Sequence, residues 1–554
     1  MKYGQVVLQQ LILAIFFQIA QIGYPLAQSA GPDGCNIQAV HNLGYTGQGV
    51  SIGLISLEHC LISHEAFYDK DVEGNPIGDS HAHWYDPTSD TANPYEPSGH
   101  DTSIAGILAS RGGKLYPDFL GMAPDSEVYS SKITKVIASG RVTYGPWFKK
   151  SLDHFRDNQC RIVVTGIQLS LEDDNEYPFT LLYDYYAYQY DMIFANAAGN
   201  DKDSPTIFGT AWNGITTAGL VTTEPDAYRR VGSRSNPGPT TDGRLKPDIS
   251  GPAKDLQVPT TGSDTAWKIE GFKGETSWSA PHTAGVATAL IGYANASLEP
   301  DDGHGVVIKA VLINSAFPNV LDKSGNSTTG QIWDPSRGYG RLDALRALQL
   351  LSQPKIVPDL PTEQTAGWAY QTLQPSQTHT YQISGIPVQN RLVVTLTWHR
   401  RVQWKDKWPR NGIIDPGELT AYPADLDLYI DDPGGQPCFT DQLTQGNLEK
   451  ADFLISQSGD YQIRVINQSS SETAVYALAY EQIEPIPADF NVDSIVNGDD
   501  LSELSFAWLQ DPHLLNDESR LRLDLIPDGI IDLNDFSHLL QFWLMTDPRY
   551  YPWP

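Results

Sequence analysis

Three apolar runs, "VSIGLIS" from Val50, "IVVTGIQLSL" from Ile162 and "DMIFANAAGN" from Asp191, constrain this chain most. Each is bounded by turn residues and lacks the polar alternation of a half-solvated strand. Each therefore reads as a strand buried on both faces, as in a parallel sheet covered by helices. Segments of helical spacing intervene, among them "APHTAGVATALIGYA" and "VVIKAVLINSA". This alternation predicts an α/β layer from about Gly31 to Leu351, with strand ends opening on a functional crevice.

The texture changes after "SRGYGRLDALRALQLL". Pro354, Pro358 and Pro361 mark a linker, and "THTYQISG", "RLVVTLTWH", "DLDLYI" and "GDYQIRVI" then alternate as antiparallel strands do. A second linker, "EPIPADF", precedes a short helical tail rich in Asp. The expected organisation is a leader over 1–30, an α/β domain over 31–352, a β-sandwich over 353–483 and a tail over 484–554. The leader reading rests on one Lys ahead of a long apolar run and on small residues at 27–30, the pattern of a secretory signal; it implies a secreted or cell-surface protein. Four cysteines, Cys35, Cys60, Cys160 and Cys438, suit an exported chain with one or two disulfides. A formal charge of −30 repels a phosphate backbone and argues against a nucleic-acid partner.

Three motifs carry chemistry. "SGHDTSIAGILAS" sets His100 at the start of a small-faced helix, "ANAAGN" ends a buried strand with Asn200, and "GETSWSAPHTAG" sets Ser277 ahead of another helix. Singly, each has a plain structural explanation, a cap or a turn. In this order, with "GYTGQGV", "GMAPDSEVY", "PGPTTDGRLKPDISGPA" and "GYGRLDALRA" around them, they resemble the subtilisin-like serine protease family over nearly all of residues 35–350.

That resemblance implies a serine endopeptidase working through an acyl-enzyme. Ser277 would be the nucleophile, His100 its general base and Asn200 the oxyanion donor. Ser170, Leu171 and Glu172 would lie along the substrate strand, with Ala198 and Gly199 beside the oxyanion site. A carboxylate at Glu172, with Asp201 near it, would favour a basic residue before the scissile bond.

The orienting acid departs from the pattern. Ser56 occupies its position in "GVSIGLISLEHC". In subtilisin, loss of that Asp lowers turnover about 3 × 10⁴-fold. Glu58 is the nearby substitute. Two residues along a regular strand is about 6.6 Å, too far for one extra methylene, so Glu58 serves only if a bulge folds it back toward His100. Asp101 adjoins His100, but neighbouring helical side chains do not face each other, and it is set aside. Either Glu58 or Ser56 orients the ring, or the chain is a silent protease fold that binds peptides or acts as a surface scaffold.

The tail contains two loops with calcium-ligand spacing. Asp489, Asn491, Asp493, Ile495 (through its carbonyl), Asn497 and Asp500 form the first; Asp524, Asp528, Ile530, Asp532 and Asp535 form the second. The pair resembles an EF-hand-like dockerin module, which implies bound Ca²⁺ and docking of residues 484–554 to a cohesin-like partner. The β-domain resembles the jelly-roll modules that follow many secreted proteases.

Overall fold

The computed structural model describes residues 25–88, 95–137, 140–143, 145–168, 177–222, 228–328, 330–406, 417–441, 446–490, 496, 498–506, 523–526 and 530–542. Its first domain is built on an eight-stranded sheet: β1 (Ser51–Ser56), β2 (Ala82–Tyr85), β3 (Glu127–Lys132), β4 (Cys160–Thr165), β5 (Ile193–Ala197), β6 (Ile215–Val221), β7 (Arg230–Val231) and β8 (Ile249–Pro252). The order is β7-β6-β5-β4-β1-β3-β2, with β8 beside β6, and every pairing is parallel except β6 with β7.

Side chains alternate across this sheet into two cores. Ile52, Leu54, Ile162 and Val164 enter one, with Ile55, Val163 and Phe194 in the other. Both faces are covered, which is why the strands read as unbroken apolar runs. Helix α1 (Pro25–Ala30), α2 (Gly99–Ala109), α3 (Pro178–Tyr190), α4 (Ala280–Ala296) and α5 (Gly305–Asn314) surround the sheet. Helix α4 is buried nearly throughout, from Ala280 to Gly292, so it carries no polar stripe.

Ser29 and Ala30 are buried against this domain, and the Ser29 hydroxyl lies 3.1 Å from His282 Nε2. One expectation changes here. The four cysteines are all free thiols: Cys35, Cys60 and Cys160 are buried and Cys438 is exposed. Cys160 opens β4, Cys35 and Cys60 lie in loops, and burial pushes the Cys35 and Cys60 thiols up to about 12.

The second domain is a sandwich of two sheets, antiparallel except where the Pro361–Thr362 strand runs parallel to Thr378–Ile386. One pairs β9 (Ala366–Leu373), β16 (Ala474–Ile483), β11 (Arg391–Trp398) and β14 (Leu448–Leu454) in that order. The other runs from the short Pro361–Thr362 strand through β10 (Thr378–Ile386), β15 (Gly459–Asn467), β12 (Leu426–Asp431) and β13 (Pro437–Asp441). The sandwich is fused to the first domain. Trp368, Leu448, Ala477 and Ala479 belong to the α/β core, and a buried Asp184–Arg400 ion pair joins α3 to the segment after β11. Asn213 accepts from the Arg400 amide at 2.7 Å and donates to its carbonyl at 2.8 Å.

The tail holds α6 (Gly498–Phe506) and α7 (Leu533–Leu539) on a small core of their own, including Phe490, Val496, Leu504, Ile531 and Leu539. Of the expected calcium ligands, Asn491, Asp493, Ile495, Asn497 and Asp528 lie outside the described residues. Asp500 accepts from the Phe490 amide at 2.7 Å, and Asp535 from the Ile526 and Asp532 amides at 2.9 and 2.7 Å. These carboxylates close their loops on backbone N–H groups. Among the described residues no cluster of three or more His, Cys, Asp or Glu is arranged to hold a metal. Among the described residues, no helix is long and apolar enough to cross a membrane.

Candidate active site

The C-terminal ends of β1, β4 and β5 and the N-terminal ends of α2 and α4 frame a cleft of about 340 Å³. Leu57, Glu58, Ser98, His100, Asp101, Gly166, Ile167, Gln168, Asn200 and Ser277 line it. Parallel strands leave their carboxyl ends on one side of the sheet, so loops distant in sequence converge there.

Ser277 lies in the turn leading into α4, three residues before the helix begins. The turn is closed by the Trp278 amide on the Glu275 carbonyl at 3.1 Å and by the Ser279 and Ala280 amides on Thr276 at 3.2 and 3.1 Å. Ser277 itself is 7% exposed. Trp278 is buried, its ring centroid 4.9 Å from that of His100, and forms an apolar wall beside the imidazole.

Asn200 is held at both ends. Its amide donates to Gln168 Oε1 at 2.7 Å, and its side-chain oxygen accepts from the Thr276 amide at 2.9 Å. With the oxygen so used, the side-chain nitrogen is the end available to a ligand. Gly199, at φ +102°, makes the bend that allows this; a Cβ there would stand 2.6 Å from Asn236 Nδ2. Ala198 is fully buried, and its carbonyl accepts from Thr206 at 3.0 Å. Ala198 and Gly199 thus position Asn200 without lining the cleft. Ser170, Leu171 and Glu172 lie outside the described residues. The wall that is described beside Asn200 is Gly166, Ile167 and Gln168, at the end of a run that sequence reading assigned only to a strand. The Asp201 carboxylate is paired with Arg234, which also reaches Glu275 at 3.2 Å.

The groups expected behind His100 are rearranged. Ser56 is fully buried in the sheet, with its hydroxyl 3.3 Å from that of Ser130. Its side chain faces the neighbouring strand β3, so the structure does not bring it to the ring. Glu58 reaches the cleft through a bend after β1 instead of a bulge within it. Its backbone amide donates to Asp101 Oδ2 at 3.1 Å. Asp101, set aside on sequence grounds, is the carboxylate that meets the imidazole: Oδ1 lies 3.7 Å from His100 Nδ1, an ion-pair distance. The adjacency rule describes the flank of a helix, whereas these two residues occupy its open first turn. There the side chain three residues after an N-cap folds back over the helix end. The signal was present in the sequence, since "SGHD" is the Ser-x-x-acid pattern of a capped helix start.

On the same sides of Ser277 and His100 no hydrogen bond joins the hydroxyl to the ring among the described residues; catalytic hydrogen bonds of this kind commonly tighten only with substrate present. What the arrangement offers chemically is a hydroxyl, an imidazole and an amide donor around one water-accessible space, with an anion on the far side of the imidazole.

Known proteins resemble this chain in sequence over the α/β domain. Over 278 residues the chain is 28% identical to the serine protease AprX of Bacillus subtilis (strain 168), covering 46% of this chain and 60% of that protein. Over 330 residues it is 27% identical to the membrane-bound transcription factor site-1 protease of Rattus norvegicus, covering 57% of this chain and 28% of that protein. The chain thus spans less than two thirds of the relatives it matches. The prenylagaramide maturation protease PagA aligns with a TM-score of 0.42 at 16% identity, over 57% of this chain and 98% of its own. The model of the subtilase family matches residues 47–340, more than half of the chain and all of the cleft, and the chain belongs to that family.

Proposed function

We propose that this protein is a serine endopeptidase that hydrolyses peptide bonds through an acyl-enzyme, acting outside the cytoplasm. The observation that carries the reading is the meeting of Ser277, His100 and Asn200 in one cleft from three distant parts of the chain. In the acylation step Ser277 Oγ bonds to the substrate carbonyl carbon as its proton passes to His100 Nε2. The carbonyl oxygen takes up the negative charge and receives the Asn200 side-chain N–H. As the intermediate collapses, the C–N bond breaks and the imidazolium returns the proton to the leaving amine. Water then repeats the sequence and frees the acid.

The test is a phosphonofluoridate probe, which phosphonylates a serine only when its hydroxyl is activated. The expected result is stoichiometric labelling at Ser277 that is lost in Ser277→Ala and in His100→Ala, together with cleavage of labelled casein. Folded protein that takes up no label supports a peptide-binding scaffold instead. For the tail, the reading is docking to a cohesin-like surface through residues 484–554, supported by its paired loop-and-helix plan. Retention of the full chain on immobilised cohesin modules, weakened by substitutions on α6 and α7, is the expected outcome.

A further inference from the structure

We infer that Asp101 is the residue that orients His100 and stabilises its imidazolium, a task moved from the end of β1 to the first turn of α2. This deepens the endopeptidase reading and rests on it.

The observations come from three sides. Asp101 is 1% exposed while the His100 side chain is 40% exposed, so the carboxylate stands behind the ring and away from solvent. Its Oδ2 is fixed by the Ser98 hydroxyl at 2.8 Å and by the Glu58 amide at 3.1 Å. Its Oδ1 is buried without a hydrogen-bond partner among the described residues, and it is the oxygen 3.7 Å from His100 Nδ1. A buried acceptor with no partner is costly, and a shift of less than 1 Å by the ring would satisfy it. Meanwhile Ser56 is committed to Ser130 inside the sheet.

The chemistry follows from which oxygen is left. A carboxylate facing Nδ1 keeps the proton on that nitrogen and leaves Nε2 as the acceptor for the Ser277 proton. Once the proton has moved, the imidazolium lies beside an anion in a site walled by Trp278, where charge attraction is poorly screened. Burial by itself would raise the Asp101 carboxyl, but the imidazole, the Ser98 hydroxyl and the Glu58 amide outweigh it and hold the group below the usual carboxylate range. The titratable groups around it are His100, the Glu58 side chain in the same cleft and the buried Cys60 thiol. The bent segment after β1 keeps a part in this arrangement, because its amide anchors the acid.

Asp101→Asn separates this role from helix capping. An Asn oxygen can still accept from Ser98 and Glu58, but its NH₂ would face Nδ1 and favour the tautomer with the proton on Nε2. The expected result is a phosphonofluoridate labelling rate at Ser277 lower by about 10²–10⁴-fold. The thermal midpoint should change little, and the acid limb of the pH–rate profile should move to lower pH, since an imidazole without its anion protonates less readily. Should Asp101→Asn fail to fold, Ser98→Ala is read instead. It frees the carboxylate without removing its charge, and a loss of about tenfold restored by Ser98→Thr is expected. Labelled wild type with Asp101→Asn within twofold of its rate overturns the assignment while leaving the hydrolase reading intact. So does a folded Ser98→Ala at the wild-type rate, or a Glu58→Gln loss larger than that of Asp101→Asn. Folded wild type that takes no label, like Ser277→Ala, brings down both.

Discussion

His282 shows how closely single side chains in this fold are tied to the turn that carries Ser277. Five residues beyond Ser277, its Nδ1 lies 2.8 Å from the Trp278 carbonyl and its Nε2 3.1 Å from the Ser29 hydroxyl. Nδ1–H therefore donates to the carbonyl and the unprotonated Nε2 accepts from the serine. The ring is neutral and fully enclosed, and burial lowers it from 6.5 to about 4. The same holds for buried His399, also lowered to about 4. In each case the unfolded chain takes up a proton that the folded chain refuses, so stability falls as pH drops from 6.5 toward 4. At pH 5 the loss is about 2 kcal/mol per histidine. Urea unfolding at pH 7 and pH 5 should show this fall, and His282→Gln should reduce it relative to wild type. Asn200→Ala belongs with these single-residue tests. It removes the N–H that the proposed mechanism directs at the developing oxyanion, and kcat on a peptide substrate should drop about 10²–10³-fold, as in subtilisin, with KM little changed.

Helices α2 and α4 each serve the cleft from their first turns while packing deeply along their length. Because α4 is buried on nearly every side, its alignment is set by close contact with its neighbours. At Gly285 an added Cβ would stand 2.3 Å from Met122 Cβ, so the helix rests there with no space to spare. Gly285→Ala is expected to push α4 and the Ser277 turn outward, costing about 1–3 kcal/mol. Differential scanning calorimetry should show a lower Tm, with slower labelling of Ser277 below the transition. The opposite end of the cleft depends on β1. Its unbroken apolar run was legible as a buried strand, and the strand does end at Ser56. The bend that follows was not legible, because it is imposed by contacts made from α2: Leu61 N–H on Thr102 Oγ1 at 2.9 Å, and Glu58 N–H on Asp101.

Across the molecule, the sandwich and the α/β domain share one interface and do not behave as beads on a linker. Lys450 of β14 donates to the Ile313 carbonyl at 2.8 Å, and Thr395 of β11 donates to Asn314 at 2.9 Å. Burial lowers Lys450 to about 7. The Asp184–Arg400 pair is buried on both sides, so removing one partner leaves a lone charge in the interior. Arg400→Ala is expected to cost about 3–5 kcal/mol. It should turn a single unfolding transition into two, as the domains lose their coupling. Calorimetry of the full chain checks this, and one unshifted transition would show the interface to be held by its apolar contacts alone.

Local pattern and motif order made much of this protein readable in advance: the covered parallel sheet, the alternating strands of a second domain, and three polar side chains, Ser277, His100 and Asn200, placed near the ends of elements. Those features repeat along the chain with the periods of strands and helices, or sit at fixed offsets from turns. The free cysteines, the packing of Ser29 under α4, the loop-closing use of Asp500 and Asp535, and the partner of His100 depend on which surfaces meet in space. The acid behind the ring is the clearest case. Ser56, Glu58 and Asp101 all lie near His100 along the chain or across the sheet. Side-chain direction at one helix end, with an amide from the facing bend, puts the Asp101 carboxylate against the imidazole, and no linear spacing records that direction.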